Sequence, residues 1–235
     1  MSKINWFKKE AELGEEIHDN PINIYIVRHG ETEFNADNKL RGWTDVDLND
    51  KGYVQANEVA KAFKDIPVDY IYVSSLQRAV HTAEPIVEET GVEAVETDSL
   101  KPIDFGDWNG ALLSKIEPDM KALQETWKTN PDTEAPNGES FTSFQDRSLK
   151  FFEDVLKKTE PGKTVVLVAH LRNCVYLLSY ALAGRKPLKG QELDLLNNVN
   201  QEVGTCSLIQ YSKDKDEIQV KKQSFIPGAE EHFVM

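Results

Sequence analysis

Short apolar runs in the chain alternate with amphipathic stretches. The first run, residues 22–28, leads directly into Arg28, His29 and Gly30, and a second run, residues 164–170, ends at His170. Short, mainly apolar runs are typical of strands that are buried on both faces of a sheet. We therefore predict two central strands, each of which delivers a histidine at its carboxyl end.

The remaining periodicity predicts further helices and strands in alternation. Helical spacing of apolar residues, with Asn49 as the cap of the first helix and Gly91 after the second, predicts four helices. These helices are Asn49 to about Asp65, Leu76–Thr90, Ser140–Lys158 and Asn173–Ala183. The further strands are Val68–Ser74, Val92–Thr97 and a terminal hairpin of Thr205–Tyr211 with Ile218–Lys222.

This order of elements favours an α/β fold. We expect a three-layer sandwich in which helices on both faces cover a mostly parallel central sheet. The stretch from Leu100 to Pro136 carries Gly, Trp and several Pro, which predicts a loop with some helix near Lys121–Lys128. We assign one domain to residues 22–235 and an N-terminal extension to residues 1–21.

The N-terminal extension leaves two alternatives open. Four apolar residues could line one side of a short helix that packs on the domain, and a disordered leader is the alternative. Those residues are Trp6, Phe7, Leu13 and Ile17.

The acidic composition limits the partners. The chain has 40 acidic and 27 basic residues and a formal net charge of -13. Nucleic acids and anionic membranes require a basic surface, so we expect neither as a partner. A phosphorylated substrate would instead need a local cationic pocket within an acidic molecule.

The cysteines and the N-terminus indicate a compartment. Cys174 and Cys206 lie in apolar contexts without the spacing of a redox or metal motif, which predicts buried free thiols in a reducing environment. The charged N-terminus lacks the apolar core of a signal peptide, and no run approaches membrane-spanning length. We expect a soluble, cytoplasmic protein, with its oligomeric state left open.

The ends of three predicted strands carry the candidate chemistry. His29 and His170 follow two of them, and Arg78 follows the third in the first turn of a helix. Parallel strands bring their carboxyl ends to one edge of a sheet, so these groups and Arg28 should meet there. Arginines can hold an anion while an imidazole attacks it. A hydrogen-bonded structural role is the alternative for either histidine taken alone.

The whole pattern resembles the histidine phosphatase superfamily, which has phosphoglycerate-mutase-like and broad phosphomonoesterase branches. The matching motifs run in the family's order over roughly residues 22–185. They are Arg28-His29-Gly30-Glu31-Thr32 with Asn35, Arg41-Gly42-Trp43-Thr44-Asp45 with Leu48, Ser74-Ser75-Leu76-Gln77-Arg78-Ala79 with Thr82-Ala83, Asp104-Phe105-Gly106-Asp107-Trp108-Asn109-Gly110, Asn137-Gly138-Glu139-Ser140, and Val168-Ala169-His170.

The resemblance implies a phosphomonoesterase that uses neither a metal nor a cofactor. His29 would take the phosphoryl group on one ring nitrogen, and the other nitrogen would need an acceptor such as a backbone carbonyl. Arg28, Arg78 and His170 would hold the phosphoryl oxygens of a small phosphorylated metabolite or of inorganic phosphate. The further substrate-binding candidates are Thr32, Asn35, Arg41, Gly42, Leu171 and Arg172.

The chain departs from the family pattern at Pro102. The resemblance places there a glutamate that protonates the leaving alcohol, and proline cannot transfer a proton. We consider three alternatives: Asp104 partly replaces the acid, Glu139 reaches in, or no acid exists. General acid catalysis typically contributes about 10²- to 10⁴-fold, so phosphate binding should persist where turnover weakens.

A second departure is Leu171-Arg172, where a small residue commonly follows the histidine. Leu171 would narrow the approach to the site. Arg172 is equally consistent with a further phosphate contact and with a surface charge at the start of a helix.

Three functions remain on this basis. A phosphomonoesterase comes first. A phosphoglycerate mutase is weaker, because residues 110–136 are short and carry five acidic against three basic residues, without a long basic insertion. A pseudophosphatase, which binds phosphorylated ligands without hydrolysing them, is the rival outside enzymes, and Pro102 supports it.

Overall fold

A computed structural model describes residues 20–190, 202 and 204–225 of the chain. The predictions for the N-terminal extension, including the helix considered around residues 6–17, lie outside the described residues. The described strands are β1 Ile22–Arg28, β2 Tyr70–Ser74, β3 Ala94–Thr97, β4 Thr164–Ala169, β5 Cys206–Ser212 and β6 Glu217–Phe225.

These strands form one sheet in the order β3-β2-β4-β1-β5-β6. The pairs β3–β2, β2–β4 and β4–β1 are parallel, and β5 and β6 continue the sheet in antiparallel pairing. The two strands that end in histidine, β1 and β4, are therefore direct neighbours at the centre. The mostly parallel sheet and the terminal hairpin predicted from the sequence are confirmed.

Helices cover both faces of the sheet. The described helices are α1 Glu33–Ala36, α2 Asp50–Lys61, α3 Gln77–Thr90, α4 Leu113–Trp127, α5 Phe141–Lys158 and α6 Leu171–Leu182. On one face, Ile24 and Leu167 pack against α5 and α6, and on the other, Val73 and Val168 pack against α2 and α3. The three-layer arrangement is confirmed. Within the described ranges, no helix is both long and apolar enough to cross a membrane.

The prediction for residues 100–136 underestimated the helix there. Helix α4 runs from Leu113 to Trp127, with Pro118 inside it, whereas the sequence predicted helix only near Lys121–Lys128. The helix buries Leu123 and Trp127 in a third apolar cluster with Phe105 and Phe141. Packing of this kind stabilises helices whose local propensity is weak, which the sequence pattern around a proline does not reveal.

The described cysteines behave as predicted. Cys174 on α6 and Cys206 on β5 are buried free thiols. Burial raises the pKa of Cys174 to about 12, so this thiol stays protonated. Neither thiol is therefore a nucleophile.

Two glycines bring α2 against the turn that follows β1. A Cβ added at Gly30 would lie 2.5 Å from the carbonyl oxygen of Gly52, and one added at Gly52 would lie 2.1 Å from that of Glu31. Side-chain atoms essentially never approach a backbone oxygen so closely. The first turn of α2 therefore fixes the path of the chain immediately after His29.

We predict that Gly52→Ala destabilises the fold. Inside a helix this change ordinarily stabilises by roughly 0.5–1 kcal/mol, but here the methyl group meets the backbone of Glu31. Overpacking costs about 1–3 kcal/mol, which should lower the melting temperature by several degrees. Glu58→Ala, an exposed position of the same helix, is the control. A melting temperature that rises in Gly52→Ala would contradict the close approach.

Candidate active site

The pairing of β1 with β4 places His29 beside His170. Arg28 is in register with Ala169, and the amide of His29 donates to the carbonyl of Ala169 at 3.0 Å. The two imidazole rings, both buried, lie 5.1 Å apart between centroids. The two histidines therefore lie next to each other at one edge of the sheet, as the sequence predicted.

A backbone carbonyl fixes the ring of His29. Its Nδ1 lies 2.6 Å from the carbonyl oxygen of Gly30, an acceptor for a proton on Nδ1. Nε2 then keeps its lone pair. Burial, followed by the charges of Arg78 and Arg28, holds the pKa of His29 well below 6.5. The ring is therefore neutral at physiological pH and can act as a nucleophile.

His170 is held from the neighbouring strand. Its Nε2 lies 2.8 Å from the hydroxyl of Ser74 at the end of β2. Among the described residues, its Nδ1 is buried and has no hydrogen-bond partner. Burial and the charge of Arg78 hold the pKa of His170 well below its ordinary value. A buried polar nitrogen without a partner is costly, and a bound anion or water would satisfy it.

Arg78 is almost completely buried, with 1% of its surface exposed. It donates from Nη1 to the carbonyl of Thr44 at 2.8 Å and from Nη2 to that of Gly42 at 2.9 Å. Within the described part of the chain, its buried Nε has no partner. Burial, and then the charge of Arg41, lower the pKa of Arg78 to about 9. Its positive charge is therefore poorly solvated, and an anion would stabilise it.

Arg28 and Arg41 add to this positive field. Burial, and then Arg41, lower the pKa of Arg28 to about 10, while Glu202 partly opposes the change. Burial lowers the pKa of Arg41, whose Nη1 lies 3.5 Å from the carbonyl of Lys39. Arg41 thus adds a further positive charge to the four groups predicted at this edge, which are Arg28, His29, Arg78 and His170.

Thr32 and Asn35 are bonded to each other. The Thr32 hydroxyl caps α1 by accepting from the amide of Asn35 at 3.2 Å, and it donates to Asn35 Oδ1 at 2.8 Å. Thr32 is fully buried. In the structure this hydroxyl caps the helix, and its predicted contact with substrate stays a prediction. An amide whose oxygen is occupied offers its NH₂ group, so Asn35 remains a donor candidate.

The other predicted binding residues lie around the same edge. Gly42 has a positive φ of +46° on the turn that holds Arg78. Leu171 and Arg172 are half-buried at the first turn of α6, directly after His170. Burial lowers the pKa of Arg172, which fits a side chain turned toward the protein better than a fully solvated charge.

Asp104 shapes a loop. Its Oδ1 accepts from the amide of Gly106 at 2.9 Å and from Asn109 Nδ2 at 2.6 Å. Asn109 in turn packs on Gly42, where an added Cβ would lie 1.8 Å from Asn109 Oδ1. A substitute acid must offer an O–H to the substrate. Among the described contacts only Oδ1 of Asp104 is occupied, so a proton offered by this carboxyl would have to lie on Oδ2.

Glu139 forms an ion pair with Arg147. The carboxylate meets Arg147 Nε at 2.8 Å and Nη2 at 3.0 Å, and it also accepts from the amide of Asp104 at 3.1 Å. Only 12% of its side-chain surface is exposed. Moving Glu139 to the substrate would leave Arg147 without its counter-charge, which is costly for a pair this buried. The geometry counts against the second alternative.

Position 102 is held firmly. The carbonyl of Pro102 accepts from Arg147 Nη2 at 2.7 Å and from Trp43 Nε1 at 2.8 Å. Arg147 Nη1 also donates to the carbonyl of Lys101 at 2.7 Å. The buried proline therefore occupies its place through three strong hydrogen bonds to its segment, which opposes a loop shift that would bring another acid in.

Comparison with known proteins decides the family. The sequence profile of the histidine phosphatase superfamily (branch 1) matches residues 24–223. The chain belongs to this superfamily. The uncharacterized phosphatase PhoE of Bacillus subtilis is 35% identical over 170 residues, which cover 72% of this chain and 82% of the relative.

A second relative carries a different name. The 2,3-bisphosphoglycerate-dependent phosphoglycerate mutase of Bartonella tribocorum is 30% identical over 214 residues, 87% of this chain and 98% of the relative. A variant of phosphoserine phosphatase from Entamoeba histolytica, solved with phosphoserine, has the same fold, with a TM-score of 0.72 at 24% identity over 86% of this chain and 96% of that one. The family and its phosphatase-named members assign the chain to the phosphoric monoester hydrolases.

Sequence reasoning missed several residues that support the site of this histidine phosphatase. Ser74, Thr82, Asn109 and Trp43 stand in the quoted motifs, whereas Arg147 lies outside them. Thr82 accepts from the amide of Gly30 at 3.0 Å and donates to the carbonyl of Arg78 at 2.6 Å. Arg147 is half-buried and follows the buried Phe144 by three residues on α5, and this helical spacing is the signal that could have indicated it.

The ligand set of a metal site is also absent from the described ranges of this histidine phosphatase. No group of three or more His, Cys, Asp and Glu side chains there is arranged to hold a metal ion. Metal independence remains a prediction.

We predict that the two buried histidines weaken the fold in acid. Their folded pKa values lie below the unfolded value of about 6.5, so the unfolded chain binds more protons as the pH falls. Each ring can remove up to about 2 kcal/mol of unfolding free energy between pH 6.5 and pH 5.

Urea unfolding of His170→Asn and of the double variant His29→Asn/His170→Asn across this range measures the effect. The first change should make the decline shallower and the second shallower still. A decline with the wild-type slope in the double variant would show that neither imidazole is buried in its neutral form.

Proposed function

We propose that this protein hydrolyses small phosphate monoesters through a phosphohistidine at His29, without a metal, and with weak general acid catalysis. The observation that carries the proposal is the hydrogen bond from His29 Nδ1 to the carbonyl of Gly30, at 2.6 Å. It leaves Nε2 unprotonated, and burial, followed by the charges of Arg78 and Arg28, lowers the pKa of the ring and keeps it neutral.

The surrounding groups have complementary parts in this mechanism. Arg28, Arg78 and His170 hold the oxygens of the phosphoryl group, and the arginines stabilise the charge of the transition state. Nε of Arg78 and Nδ1 of His170, which have no partner among the described residues, offer additional hydrogen bonds to such a group. Asn35, Arg41, Gly42, Leu171 and Arg172 line the approach as binding residues.

Leaving-group protonation is the weak step. Pro102 cannot donate a proton, and the nearby carboxylates of Asp104 and Glu139 are engaged in their own loop and ion pair. Esters of acidic alcohols or phenols need no such proton, so we expect them to be the better substrates. Esters of ordinary alcohols need this proton, so their hydrolysis should be slower by the full contribution of a general acid.

A mutase takes second place. A mutase must retain a phosphorylated intermediate in a closed site, and the segment that would grip a second phosphate, residues 110–136, carries more acidic than basic residues. Because a relative with 30% sequence identity is named as a mutase, we retain this alternative.

We predict hydrolysis of p-nitrophenyl phosphate and much slower hydrolysis of β-glycerophosphate, measured as kcat/KM. Replacement of the nucleophile in His29→Ala should lower the first rate by about 10³-fold or more. Phosphate bound without any hydrolysis of either ester would establish the pseudophosphatase instead.

We predict that Pro102→Glu raises kcat/KM for β-glycerophosphate by roughly 10²- to 10⁴-fold and that for p-nitrophenyl phosphate by a much smaller factor. Pro102→Ala, which removes the ring without adding an acid, is the matched control. Equal gains in the two variants would mean that backbone freedom, and not proton transfer, limits the enzyme. No gain in either would refute the missing-acid account.

A further inference from the structure

The turn that carries Arg41 connects two parts of the site. On one side, Arg78 donates to the carbonyl of Gly42 at 2.9 Å and to that of Thr44 at 2.8 Å. On the other side, the indole of Trp43 donates to the carbonyl of Pro102 at 2.8 Å. Arg41 therefore stands on the turn between the phosphoryl pocket and the position where the leaving group's proton donor would be.

The guanidinium of Arg41 has no counter-charge in the described part of the chain. It is half-buried, it contacts the carbonyl of Lys39 at 3.5 Å, and no described carboxylate oxygen lies within 4 Å of it. Burial is the main cause of the lowered pKa values of Arg28, Arg78, His29 and His170, and the charge of Arg41 adds to it at all four groups. Such a cation is available for an anionic part of the substrate.

The two nearby carboxylates, those of Asp104 and Glu139, have partners other than Arg41. Asp104 Oδ1 accepts from the amide of Gly106 and from Asn109, and Glu139 is paired with Arg147. The turn that carries Arg41 contacts Pro102 through the Trp43 indole, so the guanidinium of Arg41 is a candidate partner for negative charge that develops on a leaving oxygen there. This combination suits a leaving group that departs as a stable anion and needs no proton.

We propose that Arg41 binds the leaving group as an anion, and that the preferred substrates carry the phosphoryl group on the acidic oxygen of a second phosphate or of a carboxylate. These substrates are phosphoanhydrides and acyl phosphates, which share this leaving-group chemistry. The proposal rests on the phosphohistidine mechanism proposed above and names its substrate class.

The steps balance without a proton donor. The lone pair of His29 Nε2 forms a bond to phosphorus, and the bond from phosphorus to the leaving oxygen breaks. The electron pair stays on that oxygen, and phosphate or carboxylate leaves as an ion paired with Arg41. Water then attacks the phosphohistidine, the nitrogen–phosphorus bond breaks with its electron pair returning to Nε2, and the water's proton passes to solvent.

Hydrolysis of pyrophosphate, acetyl phosphate, p-nitrophenyl phosphate and β-glycerophosphate by the full chain tests this assignment. The readout is kcat/KM, since it reports the step in which the leaving group departs, and His29→Ala supplies the background for spontaneous hydrolysis. We expect at least one of pyrophosphate and acetyl phosphate to exceed β-glycerophosphate by about 100-fold or more, the scale of a missing general acid.

Arg41→Gln separates leaving-group binding from general phosphate binding. A hydrogen bond to a charged group corresponds to roughly 10- to 100-fold in rate, so the loss for the anhydride or acyl substrate should exceed the loss for p-nitrophenyl phosphate by about tenfold or more. Lys39→Gln, which removes a half-buried charge that pairs with Asp37 on the same loop, should not change this ratio. Arg41→Lys should retain part of it.

The outcomes separate the two proposals. A preference for acetyl phosphate alone identifies a carboxylate as the leaving group, and one for pyrophosphate alone identifies a phosphate. If both are hydrolysed no faster than β-glycerophosphate, or if Arg41→Gln lowers every rate equally, the leaving-group assignment is wrong while phosphatase activity stands. Absence of His29-dependent hydrolysis of p-nitrophenyl phosphate would overturn the proposed function itself.

Discussion

The parallel pairing of β1 with β4 is the constraint on which the site depends. It sets Arg28 opposite Ala169, so that the next residue of each strand, His29 or His170, enters the same buried space. Helices on both faces of the sheet exclude water from this space. Desolvation then penalises protonation of both imidazoles, which keeps them neutral. One register of strands thus determines both the position of the proposed nucleophile, His29, and its protonation state.

The same burial leaves the positive charges of the arginines poorly solvated. Two backbone carbonyls hold Arg78, and no ion pair with a carboxylate joins them within the described ranges, so its charge is fixed in place but incompletely compensated. A phosphoryl group would supply the missing negative charge. In a chain of net charge -13, such a local positive field distinguishes the pocket from the chain as a whole.

The local sequence pattern was sufficient to predict the strands, most helices and the positions of His29, His170 and Arg78. Neighbouring residues encode where a strand ends and where a helix starts. Long-range packing decided the rest. The extent of α4 depends on Leu123 and Trp127 meeting a cluster built from distant segments. The orientation of Asp104 depends likewise on Asn109 and Glu139, whose contacts no spacing rule predicts.

Position 102 bears on both halves of the reaction, because a group that protonates the leaving oxygen would also accept a proton from the attacking water. With Pro102 there, phosphorylated His29 should form readily from an activated ester and hydrolyse slowly. Rapid mixing with excess p-nitrophenyl phosphate, an alkaline quench and peptide mapping test this directly. We predict a burst of about one p-nitrophenolate per active site, with an acid-labile phosphoryl group on the peptide that contains His29. A phosphoryl group on any other residue, or turnover without one, would contradict the account.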